Sequence, residues 1–213
     1  MSANYQTPAL VIGASNWGEA DKIVTLITPE RGQVRALAFG CRRPQNRMAA
    51  AMQMFNRLEA VLSPGQKLDT VRQVTLEHSY HRIGENLTAM AYGSFVAELV
   101  RELLPEGEPA ADAFVLLEKI FAALEERNPR VVALAAAWQF LRLAGLAPSF
   151  DSGNISPSVR QLMEDLYALD FASENRLKLP KADFLAVENM LLTYLRHTVD
   201  RPLKSLAFIQ SLG

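Results

Sequence analysis

A chain of 213 residues, 49% of them hydrophobic, can bury the core of one large domain or two modest ones, which excludes long disorder. Its net charge of −1 hides an asymmetry: residues 1–80 carry nine Lys/Arg against six Asp/Glu, and residues 81–213 carry thirteen against seventeen. A positive field on one end of a chain suits nucleic acid as a partner. Cys41 is the single cysteine; it allows no intramolecular disulfide and no cysteine-rich zinc site, and it fits a reducing cytoplasm. The segment from Met1 to Pro8 lacks an apolar h-region, so no signal peptide is expected. The most apolar stretch, Val131 to Pro148, is broken by Gln139 and Arg142 and reads as a buried helix, not a membrane span. A soluble cytoplasmic protein is expected.

The first eighty residues read as five short strands. Ala9–Ile12 is apolar, and Lys22–Thr28 is rich in β-branched residues. Pro29-Glu-Arg-Gly32 has turn chemistry, with Pro suited to position i+1 and Gly tolerant of positive φ. Val34–Phe39 alternates, placing Val34, Ala36 and Ala38 on one face and Arg35, Leu37 and Phe39 on the other. Phe55–Leu62 and Leu68–Leu76 follow, separated by Ser63-Pro-Gly65. Five strands over residues 1–80 suggest a small closed barrel of the oligonucleotide-binding (OB) type.

After Tyr80 the period changes. Tyr92, Phe95, Val96, Leu99, Val100 and Leu103 follow helical spacing, and Leu104-Pro-Glu-Gly107 ends that helix. Phe114 to Leu124 predicts a second helix, stopped near Asn128-Pro129. Val131 to Leu143 is apolar almost all round, as befits a central helix. A loop at Ser149–Ile155 leads to Ser156, an N-cap with Pro157 at the first helical position. Phe184–Leu195 and a short piece from Leu203 complete a helical domain over residues 81–213. The expected class is α+β, a barrel followed by an all-α domain.

Enzyme signatures are missing. Gly65-Gln-Lys67 is followed by Leu68, so it is not a phosphate loop, and there is no Gly-x-Ser-x-Gly elbow. His78 and His81 have a spacing that could hold a metal on a helix, but they fall at a strand-to-helix junction without a third ligand. Glu125-Glu126 and Glu164-Asp165 read as solvated helix faces. No catalytic residue, metal or cofactor is expected. The informative constellation is Gly40-Cys-Arg-Arg-Pro-Gln-Asn-Arg47, which places Arg42, Arg43 and Arg47 in one inter-strand loop. No acid interrupts residues 31–58, which also hold Arg31, Arg35 and Arg57. Guanidinium forks match phosphate oxygens, so such a loop can track a nucleic-acid backbone. Trp17, in the turn Ser15–Asp21, can either stack on a base or plug one end of the barrel.

The sequence resembles the RecO family of bacterial recombination mediators. The resemblance is carried by Tyr5-Gln-Thr7, by Trp17-Gly-Glu-Ala-Asp-Lys-Ile-Val-Thr-Leu-Ile-Thr-Pro-Glu-Arg-Gly32, and by Val34-Arg-Ala-Leu-Ala-Phe-Gly40. Arg42-Arg-Pro44, Leu103-Leu-Pro-Glu-Gly107, Gly145-Leu-Ala-Pro148 and Pro202-Leu-Lys-Ser205 continue it in order. It implies an N-terminal OB fold and a C-terminal helical domain. It also implies binding of single- and double-stranded DNA, annealing of complementary strands, and work with RecR to load RecA, at the nucleoid, onto DNA covered by single-stranded DNA-binding protein (SSB). By matching motif, Lys22, Arg35, Arg42, Arg43 and Arg47 would form the DNA track. Many relatives carry a four-cysteine zinc module after the position of Pro148; Ser149–Ile155 has no cysteine, so no zinc is carried over.

The family also implies docking of the acidic SSB tail, which ends in an aromatic residue, on the helical domain. Arg142, Arg201 and Lys204 are the candidate basic rim, although Lys204 could instead neutralise the C-terminal end of a helix. The competing reading of the whole chain is a non-catalytic adaptor whose barrel docks a protein and touches nucleic acid only incidentally.

Overall fold

The computed structural model describes residues 3–43, 45–46, 48–148, 155–173 and 179–212. Five strands, β1 (Tyr5–Trp17), β2 (Asp21–Thr28), β3 (Gly32–Ala38), β4 (Asn56–Ser63) and β5 (Asp69–Ser79), close into a barrel in the order β1-β2-β3-β5-β4. All neighbours are antiparallel except β3 and β5, and the β1–β4 ladder shuts the ring. This is the OB-type barrel expected. A one-turn helix, α1 (Met48–Ala51), lies between β3 and β4, where the sequence reading placed only a loop. Met52, which follows it, is fully buried with Val11, Val24, Leu26, Ala36, Leu58 and Leu62 in the barrel interior, so this connection closes the barrel. Buried Asn56 accounts for the end of α1: its Nδ2 donates to the Ala50 and Ala51 carbonyls at 2.9 and 3.0 Å.

The helices begin two residues after β5 ends. They are α2 (His81–Glu85), α3 (Leu87–Leu103), α4 (Ala111–Glu126), α5 (Pro129–Leu143), α6 (Pro157–Tyr167), α7 (Lys181–Thr198) and α8 (Lys204–Ser211). Caps act where the side-chain chemistry demands them. Asn86, Asn128 and Ser156 each accept a backbone N–H at the start of α3, α5 and α6, and Pro129 and Pro157 open their helices. Helix α5 buries Val132 through Trp138, Phe140 and Leu141, and packs on α3, α4, α6 and α7, as its all-round apolarity predicts. The Ser149–Ile155 loop falls outside the described residues except at Ile155.

Barrel and helices share one core. Leu10, Ile12 and Ile27 on the outer face of β1 and β2 join Phe95, Leu99, Val100 and Phe121. Phe55 also crosses from the barrel: its ring meets Phe121 edge-on at 5.3 Å, and its backbone adopts φ 68°, the one non-glycine positive φ among the described residues. Polar contacts reinforce the junction. A register shift between Val11 and Gly13 frees the Ile12 carbonyl, to which Arg101 donates. Gln33, buried, donates to the Arg101 and Leu104 carbonyls at 3.0 and 2.5 Å, satisfying the end of α3. The Leu103–Gly107 segment is explained by this docking: Gly107 N–H donates to the Gln33 carbonyl at 3.1 Å, and Ala110 N–H to Pro29 at 2.9 Å.

Glu98 on α3 holds α8. It accepts from Lys204 N–H at 3.0 Å, Ser205 N–H at 2.8 Å and the Ser205 hydroxyl at 2.5 Å. Burial raises its pKa, but the Ser205 and Lys204 hydrogen bonds and the charge of Arg101 hold it below the usual carboxylate range. Lys204 is therefore the first residue of α8, at the positive end of the helix dipole, and does not neutralise the C-terminus of its own helix.

Candidate nucleic-acid interface

One end of the barrel gathers residues from three segments. The β1–β2 connection is shorter than the sequence reading has it: β1 runs on through Ser15, Asn16 and Trp17, and the turn is Gly18-Glu19-Ala20, with Gly18 at φ 54°. Onto this turn folds the Gly40–Asn46 loop. Arg42 N–H donates to the Ala20 carbonyl at 2.8 Å, the Arg42 guanidinium to the Gly18 carbonyl at 3.1 Å, and Gly40 N–H to the Asp21 carboxylate at 2.7 Å. Arg43 N–H returns to the Gly40 carbonyl, and the Asn46 amide to Phe39. The basic loop is thus held by backbone and side-chain bonds, while Arg42 and Arg43 stay exposed. Arg47 lies outside the described residues.

Trp17 is 55% exposed, which rules out the alternative of a barrel plug; Met52 occupies the interior instead. Lys22, half-buried, pairs with Ala38 at the mouth of the barrel and lies close enough to Cys41 to act on its thiol. Burial pushes the Cys41 thiol up, an effect Lys22 only partly offsets, so Cys41 is a poor nucleophile.

The sequence candidates do not all gather here. Trp17, Lys22, Arg42 and Arg43 share the barrel end. Arg35 is exposed in β3 and lines a separate cleft with Arg31, Lys67, Asp69 and Glu106. Arg31 stacks over the Tyr5 ring at 3.9 Å. Arg57, from the same acid-free run, turns towards the helices and pairs with Glu77 at 3.1 Å and Glu118 at 3.0 Å, so its charge is already matched. Phe39, 53% exposed, was missed as a site residue, although strand alternation puts it on the outward face with Arg35.

On the helical side, the three rim candidates do not share a slot. Arg142 lies over the Tyr167 ring at 5.6 Å, Lys204 starts α8 against Glu98, and Arg201 is exposed in the segment before it. Tyr92, Phe95, Leu134, Leu191 and Leu206 line an apolar cavity whose rim holds Arg130. Arg130 is tied to Glu188 through Nε–Oε1 and Nη2–Oε2 contacts of 2.7 and 2.5 Å.

His78 ends in β5 beside the Tyr80 ring and His81 begins α2, so they share no helix face. Among the described residues, no cluster of three His, Cys, Asp or Glu side chains is placed to hold a metal, and no helix is long and apolar enough to cross a membrane.

Two family models divide the chain as the strands and helices do. "Recombination protein O N terminal" matches residues 1–80, and "Recombination protein O C terminal" matches residues 84–156. The chain belongs to the RecO family. Curated RecO relatives agree. The "DNA repair protein RecO" of Symbiobacterium thermophilum is 40% identical over 149 residues, 69% of this chain and 59% of that protein. That of Pelotomaculum thermopropionicum is 37% identical over 144 residues, 68% of this chain and 56% of the relative. The Synechococcus elongatus RecO is 32% identical over 151 residues, 70% and 57% of the two chains. The chain therefore spans less than two thirds of the length of these RecO relatives, and the family models cover the barrel and the helices through α5.

Proposed function

We propose that this RecO-family chain is a non-catalytic DNA repair and recombination mediator that binds single- and double-stranded DNA at the barrel end bearing Trp17, Lys22, Arg42 and Arg43. The observation that carries the reading is the tethered loop. The Gly18, Ala20 and Asp21 contacts fix the backbone of Arg42 and Gly40 and one nitrogen of the Arg42 guanidinium, so less of the loop has to be ordered on meeting phosphate. Arg42 commits one nitrogen to the Gly18 carbonyl and keeps the rest of its fork for a ligand.

Annealing follows from the same chemistry. Two strands repel through their phosphates; a basic surface that neutralises both lowers the repulsion, and base pairing drives the union without a covalent step or nucleotide hydrolysis. Work with RecR in loading RecA onto SSB-covered DNA, in the cytoplasm at the nucleoid, belongs to this proposal. In a gel-shift assay the protein should retard short single strands and duplexes at low salt and speed the pairing of complementary strands. Failure to retard either form would favour the adaptor reading.

The acidic SSB tail is proposed to dock on the helical domain. Lys204 and Arg201 offer charge near α8, whereas the cavity beside Arg130 offers the apolar wall an aromatic side chain requires, with Arg130 itself already paired to Glu188. Calorimetry should show binding in the micromolar range, by order of magnitude, and its loss at high salt. Weakening by Arg130→Ala alone would place the peptide in the apolar cavity, weakening by Lys204→Glu alone would place it at α8, and no binding by the unaltered protein would remove the tail from the proposal.

A further inference from the structure

Strand register places two exposed aromatic rings in one row. Trp17 pairs with Asp21 across β1 and β2, and Lys22 pairs with Ala38 across β2 and β3. Continuing the second register by one residue sets Phe39 beside Asp21. Phe39 is the first residue beyond the end of β3, so Trp17, Asp21 and Phe39 gather at the same end of three neighbouring chain segments, the outer two roughly 10 Å apart by strand spacing. Trp17 shares the outer face with its ladder partner Asp21, and both rings are open to solvent, 55% and 53% exposed. The next row inward is Ser15, Ile23 and Leu37, also on the outer face.

The row is built, not frayed. The carboxylate of Asp21, between the rings, accepts Gly40 N–H at 2.7 Å, which fixes the backbone immediately after Phe39. The Phe39 carbonyl accepts from the Asn46 amide at 3.3 Å. On the other side, the Arg42 guanidinium holds the Gly18 carbonyl, immediately after Trp17. The same contacts that present Arg42 and Arg43 therefore set the two rings.

We infer that Trp17 and Phe39 form a stacking platform for unpaired bases and make the barrel end prefer a single strand over a duplex. This rests on the nucleic-acid reading of that end. Phosphate contacts by Lys22, Arg42 and Arg43 are available to either form of DNA. A base inside a duplex is stacked on both faces and has none to offer, whereas an unpaired base can lie on an exposed ring. Lys22 and the exposed Arg42 and Arg43 beside the row supply the cations for the phosphates of such a strand. The Asp21 carboxylate, bonded to Gly40 N–H, and exposed Glu19 stay anionic, so the backbone must pass on the arginine side of the rings.

The test compares the full chain with Trp17→Ala, Phe39→Ala and the double variant, on an oligothymidine single strand and on a duplex of equal length. Both side chains are exposed, so folding should survive; matched circular dichroism and melting confirm it. Each single change should weaken single-strand binding by roughly 5- to 150-fold, the worth of one stacked base. Duplex affinity should stay within about twofold, and the salt slope should not move, because stacking releases no counterions. Trp17→Phe should restore most of the loss. The other tryptophan, Trp138, is buried, so quenching of fluorescence by the oligonucleotide reports on Trp17 and should vanish in Trp17→Ala.

Equal loss on single strand and duplex would overturn the preference. Wild-type single-strand affinity in the folded double variant would overturn the platform while leaving the basic loop as the binding site. Failure of the unaltered protein to bind DNA would overturn both readings, and binding of a protein partner lost in the double variant would then mark the rings as a protein-docking surface.

Discussion

Phe55→Ala is expected to lower stability by about 3–5 kcal/mol, the usual range for emptying a buried aromatic site. The ring is 5% exposed and sits against Phe121, which in turn meets Tyr80 at 5.7 Å. A Cβ on Gly93 would lie 3.2 Å from the Phe55 ring, so α3 already approaches as closely as its glycine allows. Because global stability of a domain is about 5–15 kcal/mol, this one contact carries a large share of barrel–helix cohesion. The backbone adds a sharper expectation. Phe55 adopts φ 68°, where a Cβ costs about 1–2 kcal/mol. Phe55→Gly loses the ring but relieves that strain, so it should be no less stable than Phe55→Ala, reversing the usual order of the two substitutions. Urea midpoints of both variants decide it. A loss under about 1 kcal/mol for Phe55→Ala would mean that the ring does not hold the two halves together.

Gly32→Ala is expected to be the next most damaging change. Gly32 lies at φ 55° where the β2–β3 turn enters β3, and an added Cβ would collide with the Glu108 carbonyl oxygen. The main chain on both sides is fixed: the Thr28 hydroxyl donates to the Gly32 carbonyl at 3.1 Å, and the segment after α3 bonds to Pro29 and Gln33. Relief must therefore come from lifting the 105–110 segment off the turn. The left-handed strain plus one or two lost hydrogen bonds gives about 2–4 kcal/mol. In melting temperature that is roughly 4–16 °C for a chain of this size. Gly18 provides the control, since it has φ 54° but open space where a Cβ would point. Gly18→Ala should show only the strain. Equal melting shifts for the two would contradict the docking role assigned to Leu103–Gly107.

Much of this arrangement was legible in the residues. The five strands were found because β-branched runs and the Pro29–Gly32 turn are local signals. The cap Ser156 was found because it precedes a proline at the first helical position, whereas Asn128-Pro129, read only as the stop of α4, also caps α5. What escaped depends on distant partners. The second half of β1, Gly13 to Trp17, has weak strand propensity and is extended because Asp21–Thr25 pairs with it. Helix α1 is a single turn of Met48-Ala-Ala-Ala51, too short to show a period. At the candidate site, the acid-free run correctly marked Arg42 and Arg43 as exposed cations. It could not exclude Arg57, whose partners Glu77 and Glu118 come from β5 and α4. Nor could it separate Arg35 from the loop, because the distance along β3 is visible only once its register is known. That Lys204 opens α8 could not be read, since the start of α8 is defined by Glu98, far away in sequence.

The central claim is that the tethered basic loop carries nucleic acid by phosphate contact. The most direct measurement is a salt titration of single-strand affinity for the unaltered protein and for an Arg42→Ala, Arg43→Ala, Arg47→Ala triple variant. Each lost phosphate contact should take about 0.7 from the log–log slope, so the triple variant should bind more weakly and with a slope flatter by about 2. A correctly folded triple variant with the affinity and slope of the unaltered protein would contradict the account.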